Sequence, residues 1–168
     1  MSGDIPSGRL IGIAVRDRPY VKMIELDRAD ISIEAGLAGD HKGAKFPKRQ
    51  VTILAREAWD EACLELADLA GPVPLPWTIR RANLLIEGLR LPRARGAILT
   101  VGAVRLEVTA QTYPCARMDL AHRGLLRALA PDWRGGVTCR VLTGGHVARG
   151  DPIAIVHAPI EHVARLPG

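Results

Sequence analysis

The sequence predicts a mainly β fold, a closed or nearly closed β-barrel with about two helices on its outside. About nine short segments alternate apolar and polar side chains or form short apolar runs, as strands do. Two longer segments, 55–69 and 119–130, repeat apolar residues at helical spacing. Strands and helices do not alternate strictly along the chain, which argues against a doubly wound parallel sheet.

The first part of the chain contains strands on both sides of a long loop. Apolar patterns predict strands at 9–16, 21–26 and 31–34, and again at 50–54, which reads QVTIL. Residues 35–49, AGLAGDHKGAKFPKR, hold four Gly or Pro and five basic or His side chains. Because long loops in compact domains are often functional, this loop is a candidate part of a site.

The rest of the chain alternates strands, two helices and glycine-rich turns. The predicted helix at 55–69 ends at GPVPLPWT, and the one at 119–130 ends at PDWRGG. Gly124 weakens the second helix. Further strands are predicted at 83–87, 97–100, 103–109, 137–142 and 152–156, and a tight turn at Val101-Gly102 joins the second and third of these.

Composition indicates an ordinary globular protein, and we predict a single domain over residues 1–168. Apolar residues make up 48% of the 168 residues and charged residues 24%. The net charge of +5 favours an anionic partner. Its positive residues do not form a tail, and aromatic residues are only 4%, so nucleic acid is not expected as a partner.

Cysteine usage and the absence of targeting signals predict a cytoplasmic protein. Three cysteines without a CxxC pair argue against a disulfide framework and against a zinc site. The N-terminus MSGDIPSGRL has no signal-peptide pattern, and no apolar run is long enough to cross a bilayer. We therefore expect no membrane partner.

The segment YPCARMD contains the strongest candidate for chemistry, Cys115. Pro114 stiffens the backbone after a strand, and the predicted helix and Arg117 both favour the thiolate. The alternative is a small buried hydrophobe, and the residues alone leave the two about equal. Cys63 and Cys139, on an apolar helix face and a strand, are expected to be core residues. We predict that Cys115 is the most reactive thiol.

Basic residues near predicted strand ends are candidates for binding an anion. In RRANLLIEG, Arg80, Arg81 and Asn83 offer guanidinium forks and an amide, although solvated charge at a strand end is the favoured explanation for this stretch taken alone. In the long loop, His41 and Arg49 are candidates for the rim of a pocket. Arg134 is a further candidate, because the two glycines that follow it would let a ligand approach.

The order of motifs resembles that of a MOSC domain, the module named for the C-terminal domain of molybdenum cofactor sulfurases. The resemblance runs over about residues 36–155 and is to stand-alone bacterial-type members. It rests on GLAGDH, RQVTIL, RRANLLIEGL, GAILTVGAVRLEVT, YPCARMD, RGG and GGHVARGD. Each motif alone is weak, but this order and spacing are specific.

The resemblance implies a β-barrel and a connection with the molybdenum cofactor, molybdopterin. In the family, the cysteine at the position of Cys115 is proposed to carry sulfur or to ligate molybdenum. In the amidoxime-reducing relatives an arginine and an asparagine contact the cofactor, and they correspond to Arg81 and Asn83, with Arg80 as a substitute. We expect Cys115, Arg81 and Asn83 to meet in one cleft, with Arg49 or His41 at its rim.

Two domains of larger family members have no counterpart in this sequence. The pyridoxal-phosphate desulfurase domain of full-length sulfurases is absent, so pyridoxal phosphate is not expected to bind this chain. The N-terminal β-barrel domain of the amidoxime-reducing relatives is absent too. Any sulfur on Cys115 would have to come from another protein, such as a cysteine desulfurase, and would pass to a molybdoenzyme.

Three functional alternatives remain open at the level of sequence. The first is a protein that binds the molybdenum cofactor or carries sulfur for it through a reactive cysteine. The second is a molybdenum-dependent reductase of N-hydroxylated compounds, working with a redox partner. The third is a non-catalytic β-barrel that binds an anion or a partner protein. A simple thiol redox protein is weakened by the lack of a nearby resolving cysteine.

Overall fold

Seven strands close into a mixed β-barrel in the computed structural model, which describes residues 7–70 and 75–161. The strands of this part of the chain are β1 (Ser7–Val15), β2 (Ile24–Leu26), β3 (Arg28–Ser32), β4 (Gly36–Leu37), β5 (Val51–Ala55), β6 (Leu84–Glu87), β7 (Ile98–Val101), β8 (Val104–Gln111), β9 (Val137–Thr143), β10 (Gly145–Ala148) and β11 (Pro152–His157). Around the barrel the order is β11-β7-β8-β9-β5-β6-β1, and β1 pairs with β11 to close it. The predicted barrel is confirmed.

The described helices are α1 (Arg56–Ala70), α2 (Arg117–Ala121) and α3 (Leu125–Leu129), with short 3₁₀ turns at Trp77–Arg80 and Pro131–Trp133. Helix α1 connects β5 to β6, which pair in parallel. Parallel neighbours need such a crossover because a tight turn cannot join them. All five residues of β5 are buried, since the barrel interior covers one face and helices cover the other.

Two apolar clusters hold these layers together. One fills the barrel and includes Leu10, Ile13, Val51, Ile53, Leu84, Ile86, Leu99, Leu106 and Ile153. The other lies between the barrel and the helices and includes Leu54, Trp59, Ala62, Leu66, Leu85, Met118, Leu125 and Leu129. The apolar positions predicted for the first helix therefore face the barrel where the structure describes them.

The second predicted helix, 119–130, is wrong as a single element, because the chain forms α2 and α3 with a break between them. Gly124 adopts a φ of +90°, a conformation that side chains other than glycine rarely adopt. A Cβ at this position would lie 3.1 Å from Cδ2 of Leu66. Leu120, one of the apolar residues whose spacing predicted this helix, faces solvent and is 86% exposed.

The strand pattern needs two smaller corrections. The hairpin turn between β7 and β8 is Gly102-Ala103, because Val101 pairs with Val104. The segment GGHVA, between the strands predicted at 137–142 and 152–156, contains a strand that was not predicted, β10, which pairs with β3 in a separate sheet with β4. A Cβ at residue 144 would lie 2.6 Å from the Ile31 carbonyl oxygen, so glycine permits this close approach.

No helix in the described part of the chain is long and apolar enough to cross a membrane.

Candidate functional site

Cys115 lies in an exposed turn between β8 and α2. The Thr112 N–H donates to the Gly136 carbonyl at 2.8 Å as the chain leaves β8. The Met118 N–H donates to the Cys115 carbonyl at 2.9 Å, and the Met118 side chain is buried against the outer core. This turn is therefore fixed at both ends while the sulfur between them faces solvent, so Cys115 is not a core residue.

The other two thiols lie in less reactive surroundings. Cys139 is fully buried in β9, and burial raises the pKa of its thiol. Cys63 is half-buried, and burial together with the Asp60 charge raises the pKa of its thiol. Both shifts disfavour the thiolate, which is the nucleophilic form.

Arg80 braces the backbone that leads to Cys115. Its Nη2 donates to the Thr112 carbonyl at 2.8 Å and its Nε to the Gly135 carbonyl at 3.1 Å. Burial lowers the pKa of Arg80 to about 10, and the charge of Cys115 acts in the opposite direction. Arg80 therefore stays cationic at neutral pH and holds two loops in place below the thiol.

The RGG motif makes room for this brace. A Cβ on Gly135 would lie 2.3 Å from the Thr112 carbonyl oxygen and 3.0 Å from Nη2 of Arg80. Neither atom can move without breaking the hydrogen bond between them. The sequence predicted that the glycines after Arg134 would let a ligand approach. In the structure, Gly135 instead leaves space for the guanidinium of Arg80.

Arg81 points away from Arg80 because its backbone turns into the left-handed region, with φ of +65°. It lines a cleft of about 410 Å³ together with Tyr20, Arg117 and Met118. The Arg117 guanidinium carbon lies 4.0 Å from the centre of the Tyr20 ring, a cation–π contact. Burial and then Arg117 lower the pKa of Arg81, while Cys115 raises it, so this cleft adjoins the thiol.

Arg16, at the end of β1, is a site residue that the sequence analysis missed. Its side chain is 8% exposed, and its Nε and Nη1 have no hydrogen-bond partner in the described chain. Burial and then the Arg81 charge lower its pKa, and Arg117 lowers it further. The predicted strand 9–16 ends at Arg16 without assigning it a role, although an arginine at the end of an apolar strand was a usable signal.

The long loop places His41 and Lys42 beside Arg16. The Asp40 carboxylate accepts the Arg16 N–H at 3.2 Å and the Lys42 N–H at 3.4 Å. The His41 N–H donates to the Arg16 carbonyl at 2.9 Å, and its ring Nε2 is buried without a partner among the described residues. Burial and then the Arg16 charge lower the pKa of His41.

Lys42 connects this loop with the rest of the site. Burial lowers its pKa, Asp40 opposes that shift, and the charges of Arg16, Arg49 and Arg80 reinforce it. Arg49 is exposed at the end of the loop and lines a separate cleft with Tyr113. The predicted rim residues His41 and Arg49 thus belong to the loop that flanks Arg16.

Asn83 lies just before β6, and its side chain is fully buried. Its Oδ1 accepts from the Thr52 N–H and from the Thr52 hydroxyl, each at 3.0 Å, and its Nδ2 donates to the Ala14 carbonyl at 3.2 Å. These bonds join β5 and β1, the two neighbours of β6. Both ends of the carboxamide are thus hydrogen-bonded to strands of the barrel.

Arg134 is engaged with α1. Its Nη1 lies 2.7 Å from a Glu65 carboxylate oxygen and 2.9 Å from the Ala128 carbonyl, and its Nη2 lies 3.3 Å from Glu61. The Glu65 contact raises its pKa against the effect of burial. Arg134, in the loop after α3, therefore connects that loop with α1 through Glu61 and Glu65.

Five basic side chains therefore lie near one another, and two of them, Arg81 and Arg117, lie close to the turn that carries Cys115. We call this set the basic cluster; it comprises Arg16, His41, Lys42, Arg81 and Arg117. The Asp40 carboxylate offsets part of the mutual repulsion among these side chains, and a bound anionic group would offset more of it. No group of three His, Cys, Asp or Glu side chains gathers in the described ranges.

The MOSC domain family model matches residues 38–154. This range agrees with the resemblance identified from the motifs. None of the curated proteins gives a significant match to the sequence.

Several solved structures share the fold. The YuaD protein from Bacillus subtilis superposes with a TM-score of 0.72 at 20% identity, covering 89% of this chain and 95% of that one. YiiM from Escherichia coli superposes with a TM-score of 0.66 at 18% identity, covering 90% of this chain and 71% of that one. YiiM from Geobacillus stearothermophilus superposes with a TM-score of 0.66 at 16% identity, covering 89% of this chain and 75% of that one. At these identities the likeness concerns the fold.

Proposed function

Because this chain belongs to the MOSC domain family, we propose that it binds a molybdenum–pterin cofactor at the basic cluster, or carries sulfur for it through Cys115. The observation that supports this function most directly is a set of buried nitrogen atoms, on two neighbouring side chains, that have no partner among the described residues. Arg16 offers Nε and Nη1, and His41 offers Nε2. Buried donors in native proteins nearly always have partners, so a ligand that supplies acceptor oxygens fits them.

The chemistry of the donors fits this cofactor. A phosphate group presents several anionic oxygens, and guanidinium forks bind such oxygens well. Arg81 and Arg117 would hold the ligand beside the thiol, and Lys42 would add charge. Molybdenum, when bound, supplies a redox-active and Lewis-acidic centre for which a soft thiolate is a suitable ligand. Cys115 is the exposed thiol next to these cations.

In the sulfur-carrier form of this proposal, Cys115 exchanges sulfur with other proteins. Its thiolate attacks the outer sulfur of a persulfide on a donor such as a cysteine desulfurase. A new S–S bond forms on Cys115, the donor's S–S bond breaks, and the donor cysteine leaves as a thiolate. Exposure of Cys115 favours this form, because a protein donor must reach the sulfur.

A second candidate is the reduction of N-hydroxylated compounds with a redox partner. The cleft of about 410 Å³ beside Cys115 favours it, because apolar Met23, Ile79 and Met118 accompany Arg81 and Arg117 in its lining. Such a mixed lining suits a small organic molecule. In this version Cys115 is a metal ligand and does not carry sulfur.

Elemental analysis of the protein purified from a host that makes the cofactor tests the proposal. We expect molybdenum in the wild-type protein and at least about tenfold less in Arg16→Met, because the phosphate loses its buried guanidinium. The ligand-free Arg16→Met protein should be as stable as wild type or more stable by about 1 kcal/mol, since an unpaired buried charge is removed.

The control is Arg105→Gln, which removes an exposed arginine from the start of β8. It should leave the molybdenum content unchanged. A wild-type protein without molybdenum that also fails to accept sulfur would leave only the non-catalytic, anion-binding barrel.

Anion binding at the basic cluster should strengthen as the pH falls. His41 has a lowered pKa in the ligand-free protein, so its ring is neutral at pH 7, whereas a bound anion favours the imidazolium. Isothermal titration with sulfate, whose charge is constant in this range, should show tighter binding and proton uptake between about pH 7.5 and 5.5. His41→Gln should bind sulfate with little pH dependence.

The same shift predicts the opposite trend for the stability of the ligand-free protein. Because the pKa of folded His41 lies below its unfolded value of about 6.5, the unfolded chain binds more protons below that pH. The contribution of His41 to the free energy of unfolding is therefore favourable above about pH 6.5 and is lost as the pH falls below that value.

For the sulfate titration, tighter binding at high pH than at low pH would contradict the assignment of His41.

A further inference from the structure

A second cleft, of about 480 Å³, lies beside the end of β8, and its charged lining residues are all cationic. They are Lys48, Arg49 and Arg95, which are exposed. None of the three pairs with a carboxylate within the described ranges of the chain. This cleft therefore attracts anions without an internal counter-charge.

Unsatisfied hydroxyls form part of the cleft lining. Thr138 is 3% exposed, and its Oγ1 is buried without a hydrogen-bond partner in the described chain. The hydroxyl of Thr112 is also buried and without a partner there. Thr109, between them in the lining, donates to the Thr138 carbonyl at 3.0 Å. Each free hydroxyl has a proton to donate to an acceptor oxygen of a ligand.

The same lining contains an exposed aromatic ring and an amide. Tyr113 is 73% exposed, although most large aromatic side chains of a folded protein bury more of their surface. Gln111 carries both a donor and an acceptor and lines the cleft as well. A ring face suits stacking by a nucleobase, and an amide suits hydrogen bonds to the edge of a base.

We propose that this cleft binds a nucleoside phosphate. Its phosphate oxygens lie among Lys48, Arg49 and Arg95 and accept from the threonine hydroxyls, and its base stacks on Tyr113. The three cations, the free hydroxyls and the exposed ring occur together in one lining, which distinguishes this cleft from a general positive surface. The site does not depend on the chemistry proposed for Cys115, although Tyr113 is only two residues away in sequence.

Isothermal titration of the full chain with ADP, GDP and pyrophosphate tests this proposal. Arg95→Gln should weaken binding of all three by about tenfold, because it removes one charge-assisted contact to phosphate. Thr138→Val, which preserves the shape of the side chain, should also weaken all three. Tyr113→Ala should weaken ADP and GDP but leave pyrophosphate unchanged, because pyrophosphate has no base.

The matched control is Arg105→Gln, an exposed arginine on β8 that lies outside the cleft, and this variant should bind all three probes as the wild type does. The proposal is wrong if the wild type binds no nucleotide, or if Arg95→Gln and Arg105→Gln weaken binding equally. It is also wrong if only Arg16→Met abolishes binding, since the nucleotide would then occupy the basic cluster. Binding of single-stranded oligonucleotides without binding of mononucleotides would overturn it too.

Discussion

Replacing Cys115 with serine is expected to reduce the acceptance of sulfur by at least about a hundredfold, because a serine hydroxyl is not a nucleophile at neutral pH. The assay incubates the protein with a cysteine desulfurase and cysteine and follows the intact mass for the addition of one sulfur atom. In the metal-ligand form of the proposal, the same substitution lowers the molybdenum content of the purified protein. These two readouts separate the sulfur carrier from the molybdenum ligand.

The control for this prediction is Cys63→Ser, which should accept sulfur as well as the wild type does. Alkylation of the native protein should modify Cys115 first, Cys63 more slowly and Cys139 only after unfolding. This order follows from exposure and from the raised pKa values of the two less accessible thiols. Faster labelling of Cys63 than of Cys115 in the folded protein would remove the central residue from both forms of the proposal.

Asn83→Leu is expected to lower the free energy of unfolding by about 3–5 kcal/mol. The substitution leaves the buried Thr52 N–H and the Ala14 carbonyl without the partners that the carboxamide provides. Each unsatisfied buried group costs about 1–3 kcal/mol. Urea denaturation measures the loss, and the anion affinity of the folded fraction should change little, because this side chain faces the barrel wall.

Thr52→Val provides the graded comparison for Asn83. It removes the hydroxyl that donates to Asn83 and accepts from its N–H, but it keeps the Thr52 N–H bond. We expect a loss of about 1 kcal/mol. If Asn83→Leu were stable but had lost anion binding, Asn83 would act on the ligand, as the resemblance implied.

Most of the barrel and the family could be predicted because they depend on local patterns. Apolar runs at β5 and β6, the alternation in β8 and the helical spacing of α1 each repeat over enough residues to be recognised. The family was recognised from the order of short motifs around Cys115. The second helix was mispredicted as one element because the backbone at Gly124 leaves the helical conformation, with φ of +90°, and interrupts a periodic apolar pattern.

The sequence by itself determined the barrel and the family, and it selected the segment around Cys115 as the candidate for chemistry. Tertiary structure decided what each polar residue does. Arg80 and Arg81 are adjacent, yet Arg80 donates to the backbone next to the thiol and Arg81, with a left-handed backbone of φ +65°, lines the cleft. Arg16 lies far from Cys115 in sequence and joins it only when β1 closes the barrel. Hydrogen-bonding partners and shared burial arise from such long-range contacts, and no local pattern of residues records them.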